Sequence, residues 1–205
     1  MSLTISKVRV IRNKRDGVKR IASVHMTLGN GIILHNMGLM PSDRDDGPYF
    51  LQMPSVQSRS GRRYSVFFPL SNEVRQQMTA AATEAMEKAN EAGANDFTYV
   101  LSEDTTTEPV ITNVRIRKAN GRRPIRAYAT VVIDDALCLG SFAISCSEDT
   151  NQYEVGLPTY TAFRWSDTAA MHYEIPDSGF PAFYDKIMSA LFAPVAESDR
   201  QKATA

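Results

Sequence analysis

Short runs in which apolar and polar residues alternate predict a fold built mainly from β-strands. Most of these runs are 5 to 9 residues long and rich in Val, Ile and aromatic residues. In the first run, Val8 and Val10 alternate with Lys7 and Arg9. Because successive side chains of a strand point to opposite faces, such a run has one apolar side and one solvated side. We therefore predict antiparallel strands that cover a core with one face.

Two-residue turn signals between the runs predict β-hairpins. Asp16-Gly17 and Asn30-Gly31 separate apolar runs in the first half of the chain. Asn120-Gly121 occupies the position of the first of these signals in the second half. Asp, Asn and Gly tolerate the positive φ that a tight hairpin turn requires, so each pair marks a reversal of the chain.

Two segments change to the period of a helix. After Pro69 the apolar residues recur at helical spacing, Ser71 or Asn72 can cap the start, and Gly93 can close the end. The predicted buried stripe of this helix is Val74, Met78, Ala81, Ala82, Ala85, Met86 and Ala89. A shorter stripe near the C-terminus, bounded by prolines, is Phe183, Tyr184, Ile187, Met188 and Leu191.

Blocks of the first half recur in the second half in the same order. ISKVRVIR at 5–12 matches ITNVRIRK at 111–118, and RIASVHMTL at 20–28 matches RAYATVVID at 126–134. The other three pairs are GIILHNMGL with ALCLGSFAI, YFLQMP with YEVGLP, and FFPLSN with YEIPDS. Matching blocks at a nearly constant offset of 104 to 107 positions predict a tandem duplication.

These patterns give a predicted domain organisation of the α+β class. One unit spans residues 1–92 and a diverged unit spans 111–194, each an antiparallel sheet followed by a helix. Residues 93–110 include the polar run SEDTTTEP and are predicted to form a linker or, through FTYVL at 97–101, an additional strand. The polar residues 195–205 are predicted to be a flexible tail.

Composition and charge narrow the class of protein. Hydrophobic residues make up 43% and charged residues 22% of the 205 residues, as in ordinary folded domains. No run approaches the roughly 18 to 20 apolar residues of a membrane span, and no secretory signal precedes the first strand, so we expect a cytoplasmic protein without membrane contact. The formal net charge is zero, but residues 1–75 carry 12 Lys and Arg against 5 Asp and Glu, and residues 101–205 carry 10 against 14. A basic front half can still contact phosphates locally.

The residues that catalyse reactions or bind metals are few and scattered. His25, His35 and His172 are far apart in sequence, and no nucleophile elbow, Walker loop or dinucleotide fingerprint occurs. Cys138 and Cys146 are predicted to be buried, idle thiols because their surroundings are apolar or small. We expect no enzymatic activity, no metal site and no cofactor.

Five segments of the first half occur in a characteristic order: ISKVRVIR, KRIASV, IILHN with His35, FLQMPS at 50–55 and FPLSNEVR at 68–75. In these segments the first half, over roughly residues 5–90, resembles the SpoVG family of bacterial septation regulators. The second half keeps this framework but has Gly140 where the first has His35, and it has no counterpart to Ser55. Val56 and Gln57 stand where the family commonly has basic residues.

The resemblance implies a function as well as a fold. Members of the family dimerise and bind DNA or RNA to regulate gene expression, without enzymatic activity. Here the resemblance implies an intramolecular pseudo-dimer, in which the second unit takes the place of a partner subunit.

Basic residues of loops and turns are the candidate nucleic-acid contacts. The loop SVQSRSGRRY at 55–64 has three arginines and no acid, the hairpin turns of both halves are basic, and an arginine opens the first helix where the family motif also has one. The candidates are Arg59, Arg62, Arg63, Arg75, Arg12, Lys14, Arg15, Lys19, Arg20, Arg122 and Arg123.

Two alternatives remain open from the sequence. The chain can instead be a protein-interaction or assembly module whose arginines only solvate its loops. It can also associate with further copies of itself through exposed sheet edges.

Overall fold

A computed structural model describes residues 3–14, 18–43, 47–57, 61–102, 108–119, 124–161 and 169–193. Within them the chain forms antiparallel sheets and two helices, which confirms the predicted α+β class. The first half comprises β1 (Ile5–Arg12), β2 (Ala22–Leu28), β3 (Ile33–Pro41), β4 (Tyr49–Gln52), β5 (Ser55–Gln57), β6 (Arg63–Ser65), β7 (Phe67–Pro69) and α1 (Asn72–Glu91). After β8 (Asp96–Val100) come β9 (Ile111–Lys118), β10 (Ile125–Ile133), β11 (Leu137–Cys146), β12 (Tyr153–Gly156), β13 (Thr159–Thr161), β14 (Ala169–Met171), β15 (Tyr173–Glu174) and α2 (Phe180–Phe192).

Two larger sheets organise the described residues. The first has the order β15-β3-β2-β1-β8, with β4 also on β3, and the second has the order β12-β11-β10-β9, with β7 also on β11. Two small hairpins, β5–β6 and β13–β14, stand outside these sheets. All pairings among the described strands are antiparallel. Consecutive strands such as β2 and β3, or β10 and β11, are joined by short turns that favour this arrangement.

The two halves exchange their last strands, a feature that the sequence pattern did not indicate. β7 from the first half pairs with β11, placing Phe68 opposite Cys138. β15 from the second half pairs with β3, placing Tyr173 opposite Leu34. Each larger sheet therefore contains strands from both halves. The halves are joined by backbone hydrogen bonds between strands as well as by side-chain contacts.

Backbone irregularities also recur at matching positions. Asn36 in β3 and Ser141 in β11 both have positive φ, at 62° and 68°. The residue before each donates its backbone N–H to an exchanged segment: His35 to the His172 carbonyl at 2.8 Å and Gly140 to the Val66 carbonyl at 2.6 Å. A bulge of this kind bends the strand so that the exchanged segment can reach it.

Helix α1 follows the sequence prediction closely. The Ser71 hydroxyl accepts a hydrogen bond from the Val74 backbone N–H, and the seven residues of the predicted stripe are all buried. Gly93 adopts a φ of 61° just after the helix, where a side chain would be strained. In α2 only Phe183 and Ile187 of the predicted stripe are buried.

A shared core of aromatic rings lies where the exchanged strands meet. The rings of Phe67 and Tyr173 are 6.4 Å apart and fully buried, and Phe142 lies between Tyr173 and Phe183. The Tyr173 hydroxyl donates to the Gly140 carbonyl at 2.8 Å, which satisfies a polar group that would otherwise be costly to bury. Both cysteines are buried free thiols, as predicted.

Candidate nucleic-acid interface

The second sheet carries a groove of about 1200 Å³ on the face that points away from its core. Along β10, Ala129, Val131 and Ile133 are buried, whereas Tyr128, Thr130 and Val132 alternate with them and line the groove. The opposite wall is the β5–β6 hairpin of the first half, with Arg63 and Tyr64. Both halves of the chain therefore build this groove.

Arg117 lies between two tyrosine rings in this groove. Its Cζ atom is 5.5 Å from the ring centroid of Tyr64 and 5.7 Å from that of Tyr128. Cation–π attraction at these distances holds the hairpin of the first half against β9 and β10 of the second half. Tyr64 is still 39% exposed, so part of its ring is accessible to a ligand.

Arg115 and Arg63 add positive charge to the same surface. Arg115 is two residues before Arg117 on β9 and therefore projects from the same face of the strand. Among the described residues, neither the Arg115 nor the Arg117 guanidinium has an ion-pair partner. Burial raises the pKa of the neighbouring Cys138 thiol to about 11, while the charge of Arg115 lowers it, so the groove holds a neutral thiol beside exposed cations.

The other predicted contact residues do not gather at this groove. Among those described, Arg62 is exposed beside Arg63, while Lys14 and Lys19 are exposed at the end of the first hairpin and Arg12 is half-buried there. Arg75 lies on α1 and lines a separate cleft with Tyr49 and Phe50. Arg15, Arg59, Arg122 and Arg123 lie outside the described residues.

The sequence suggests that Arg20 contacts nucleic acid, but in the structure its guanidinium is hydrogen-bonded within the first half. Its guanidinium donates to the Asn36 side chain at 2.8 Å and to the Met37 carbonyl at 2.9 Å. It also donates to the Ala22 carbonyl at 3.3 Å. These bonds tie the side chain to the irregular part of β3, so Arg20 stabilises the fold locally.

Sequence reasoning missed four groove residues: Arg115, Arg117, Tyr64 and Tyr128. A signal for two of them was present, because residues 115 and 117 are two apart in a predicted strand and must share a face. The tyrosines gave no such signal. Tyr128 lies opposite Arg117 in the register of β9 and β10. Tyr64 meets Arg117 because the β5–β6 hairpin of the first half lies over the second sheet.

The corresponding face of the first sheet brings two histidines together. His25 and His35 approach through their Nδ1 atoms at 2.9 Å, and His35 Nε2 lies 2.9 Å from a carboxylate oxygen of Glu174. If His35 donates through Nε2 to Glu174, its Nδ1 is the acceptor, and His25 must then donate through its own Nδ1. Glu174 belongs to β15, so this chain of contacts joins the two halves.

His25 is held mainly in its neutral state. Burial lowers the pKa of His25 from 6.5 to about 4, and the nearby charges of His35, Arg9 and Arg20 lower it further. Burial also lowers the pKa of His172. The described residues contain no cluster of three or more His, Cys, Asp or Glu side chains that can hold a metal ion. Neither helix of the described chain is long and apolar enough to cross a membrane.

Comparison with known proteins shows a similarity between the first half and one family. Residues 3–88 match the SpoVG family model. The SpoVG protein of Borreliella afzelii (strain PKo) is 24% identical over 92 residues, covering 45% of this chain and 92% of that protein. The SpoVG protein of Borrelia garinii subsp. bavariensis is 27% identical over 75 residues, covering 37% and 74%. Both are named provisionally as septation proteins. The resemblance predicted for the first half is thus confirmed.

Proposed function

We propose that this chain, whose residues 3–88 form a SpoVG family domain, is a cytoplasmic, non-enzymatic regulator of the bacterial type that binds DNA or RNA. The groove of the second sheet is its proposed binding surface. One observation carries the proposal: Arg63, Arg115 and Arg117 share a single open groove with Tyr64 and Tyr128. The provisional names of the relatives suggest that the regulated process is septation.

The chemistry of this groove suits a nucleic-acid strand. Guanidinium groups hold phosphate oxygens through charge-assisted hydrogen bonds, and aromatic rings stack on bases. Arg63, Arg115 and Arg117 supply the first kind of contact, and Tyr64 and Tyr128 supply the second. A strand with unstacked bases can use both kinds at once, whereas a duplex offers its backbone but keeps its bases stacked.

We also propose that the halves arose by tandem duplication and pack as a pseudo-dimer. The support is the reciprocal exchange of β7 and β15, whose partners are offset by 105 positions: Leu139 opposite Phe67 corresponds to Leu34 opposite Tyr173, and Cys138 opposite Phe68 corresponds to Ile33 opposite Glu174. Linking two such units makes their association intramolecular, at an effective concentration on the order of millimolar. The groove, which needs residues of both halves, then forms without a second chain.

A binding series at two salt concentrations tests the proposed function. The full chain is titrated into labelled single-stranded RNA, single-stranded DNA and duplex DNA, and binding is followed by gel shift and fluorescence anisotropy. We expect binding at low salt that weakens at high salt, because phosphate contacts release counterions. Absence of binding to all three ligands at low salt contradicts the proposal.

Charge removal then locates the surface. Replacing Arg115 and Arg117 by Ala should weaken binding and reduce the salt slope by roughly 0.7 to 0.9 for each phosphate that the variant no longer neutralises. Replacing Arg59, Arg62 and Arg63 by Ala should act in the same direction if the hairpin loop contributes. Arg9→Ala is the matched control, because Arg9 corresponds to Arg115 but forms an ion pair with Asp96. Equal weakening in the control and the groove variant contradicts the assignment of the groove.

A further inference from the structure

Among the described residues β9 is an edge strand, unlike β1, to which it corresponds in sequence. β1 is flanked by β2 on one side and β8 on the other. Within the described part of the chain, β9 pairs with β10 alone. Val8 and Val10 of β1 are fully buried, whereas Val114 and Ile116 of β9 are only partly buried. The second sheet therefore has both backbone groups and apolar surface that a further strand can cover.

The β1–β8 pair indicates the kind of strand that fits. Asp96 of β8 receives two hydrogen bonds from the Arg9 guanidinium, at 2.8 and 2.6 Å. Asp96 stands opposite Ile11 in the register and reaches diagonally to Arg9. Phe97 and Tyr99 are partly buried and alternate with the exposed residues of β8, and Tyr99 packs against the core. β8 thus presents the Asp96 carboxylate on one face and two aromatic residues on the other.

The matching positions on β9 favour an acidic partner more strongly. Arg115 corresponds to Arg9, and Arg117 corresponds to Ile11. A carboxylate placed where Asp96 lies on β1 would therefore face two guanidinium groups instead of one. Pairing of β9 with β9 of a second copy would set Arg115, Arg117 and Lys118 against like charges, which is destabilising across strands.

We propose that the β9 edge binds an extended, acidic segment of a partner protein, which adds to the second sheet as an antiparallel strand. Main-chain hydrogen bonds to β9 supply the general affinity, as in other strand additions. A carboxylate facing Arg115 and Arg117 supplies the specificity. Apolar residues on either side of it cover Val114 and Ile116. This site shares Arg115 and Arg117 with the nucleic-acid groove. It goes beyond that groove because its ligand is a peptide whose backbone pairs along the outer edge of β9.

A peptide with the sequence of residues 94–102, ANDFTYVLS, is a direct probe. Its fluorescently labelled form is titrated with the full chain in the absence of nucleic acid, so the outcome is independent of the proposed function. We expect saturable binding, and we expect an otherwise identical peptide with Lys in place of Asp96 to bind at least about tenfold more weakly. No binding of the native peptide at concentrations on the order of 1 mM overturns the proposal.

Charge reversal tests where the peptide binds. In the protein variant with Arg115→Glu and Arg117→Glu, the preference should reverse, so that the lysine peptide binds better than the native one. Displacement of the chain's own β8 from β1 is the competing explanation, and it predicts that this variant binds the native peptide as the unaltered protein does. That second result overturns the proposal.

Hydrogen exchange on the unaltered protein gives evidence that needs no variant. Peptide at saturation should slow amide exchange in residues 111–118 and leave residues 5–12 unchanged. Slowed exchange at residues 5–12, or at neither segment, overturns the proposal even if the peptide binds.

Discussion

The outer faces of the two larger sheets have matching backbones but opposite chemistry. On the first sheet, the Arg9 guanidinium forms an ion pair with the Asp96 carboxylate. His25 contacts His35, and His35 in turn contacts the Glu174 carboxylate. On the second sheet, Thr130 stands opposite Arg115 as His25 stands opposite Arg9 on the first, and Gly140 takes the place of His35.

The two sheets have similar strand arrangements, but their outer faces differ in how charges are paired. We call the outer face of the first sheet the closed face and that of the second sheet the open face. The first face satisfies its charges internally, partly because β8 brings Asp96 to the edge of the sheet. The second face has no strand corresponding to β8 among the described residues, and its Arg117 meets tyrosine rings instead of a carboxylate. In the described part of the chain, the groove lined by Arg63, Arg115 and Arg117 therefore lies on the second sheet.

The largest expected effect comes from breaking the core that joins the two faces. Phe67→Ala should reduce the free energy of unfolding by about 3–5 kcal/mol, because it removes a fully buried ring and leaves a cavity. Tyr173→Ala, at the corresponding position, should cost a similar amount. Urea unfolding followed by circular dichroism and by tyrosine fluorescence measures both. A single shared transition is expected, and two separate transitions would show that the halves fold independently.

The next largest effect concerns the open face and its ligand. Tyr64→Ala and Tyr128→Ala should each weaken nucleic-acid binding by about 1–3 kcal/mol, since each removes a stacking platform. Phe50→Ala is the matched control, because Phe50 is also exposed but lines the separate cleft beside α1. Anisotropy titrations measure the change, and a weakening in the control as large as in the tyrosine variants would place the ligand elsewhere.

A smaller expected effect is a pH dependence of the free energy of unfolding that comes from His25 on the first sheet. The pKa of His25 is near 4 in the folded chain and 6.5 as its ordinary value, so the unfolded chain takes up a proton first as the pH falls. The contribution of neutral His25 to the free energy of unfolding is therefore fully present above about pH 6.5, and it is lost progressively as the pH falls to about 4. Urea unfolding across this range measures it.

The control for the pH experiment is His25→Gln, which cannot be protonated. This variant should show a shallower loss of stability over the same range. An unchanged pH dependence would mean that other groups cause it.

The smallest effect concerns the ion pair of the closed face. Asp96→Asn should change the free energy of unfolding by less than about 1 kcal/mol, because both partners are roughly half exposed and screened by solvent. Nucleic-acid affinity should rise slightly if uncovering Arg9 makes the first face resemble the second. A large loss of stability would mean that β8 depends on this pair for its attachment.

Sequence patterns anticipated the local features well. The stripe from Val74 to Ala89, the cap at Ser71 and the turn at Asn30-Gly31 follow from periodicity and turn chemistry, which act over a few residues. The site was predicted less well. The predicted residue Arg63 does line the groove, whereas Arg20 donates hydrogen bonds to carbonyl groups of its own half. The position of Arg117 in the groove depends on contacts with Tyr64 and Tyr128, which lie elsewhere in the sequence.

The sequence by itself determined the elements, their order and the repeated blocks at a nearly constant offset. It did so because strand and helix periods, caps and turn residues are read from neighbouring positions. Only the tertiary structure decided that β7 and β15 change sheets, that Arg117 meets Tyr64, and that β9 pairs with β10 alone in the described part of the chain. Those outcomes depend on which backbone edges pair across long stretches of the chain, and no local pattern specifies that choice.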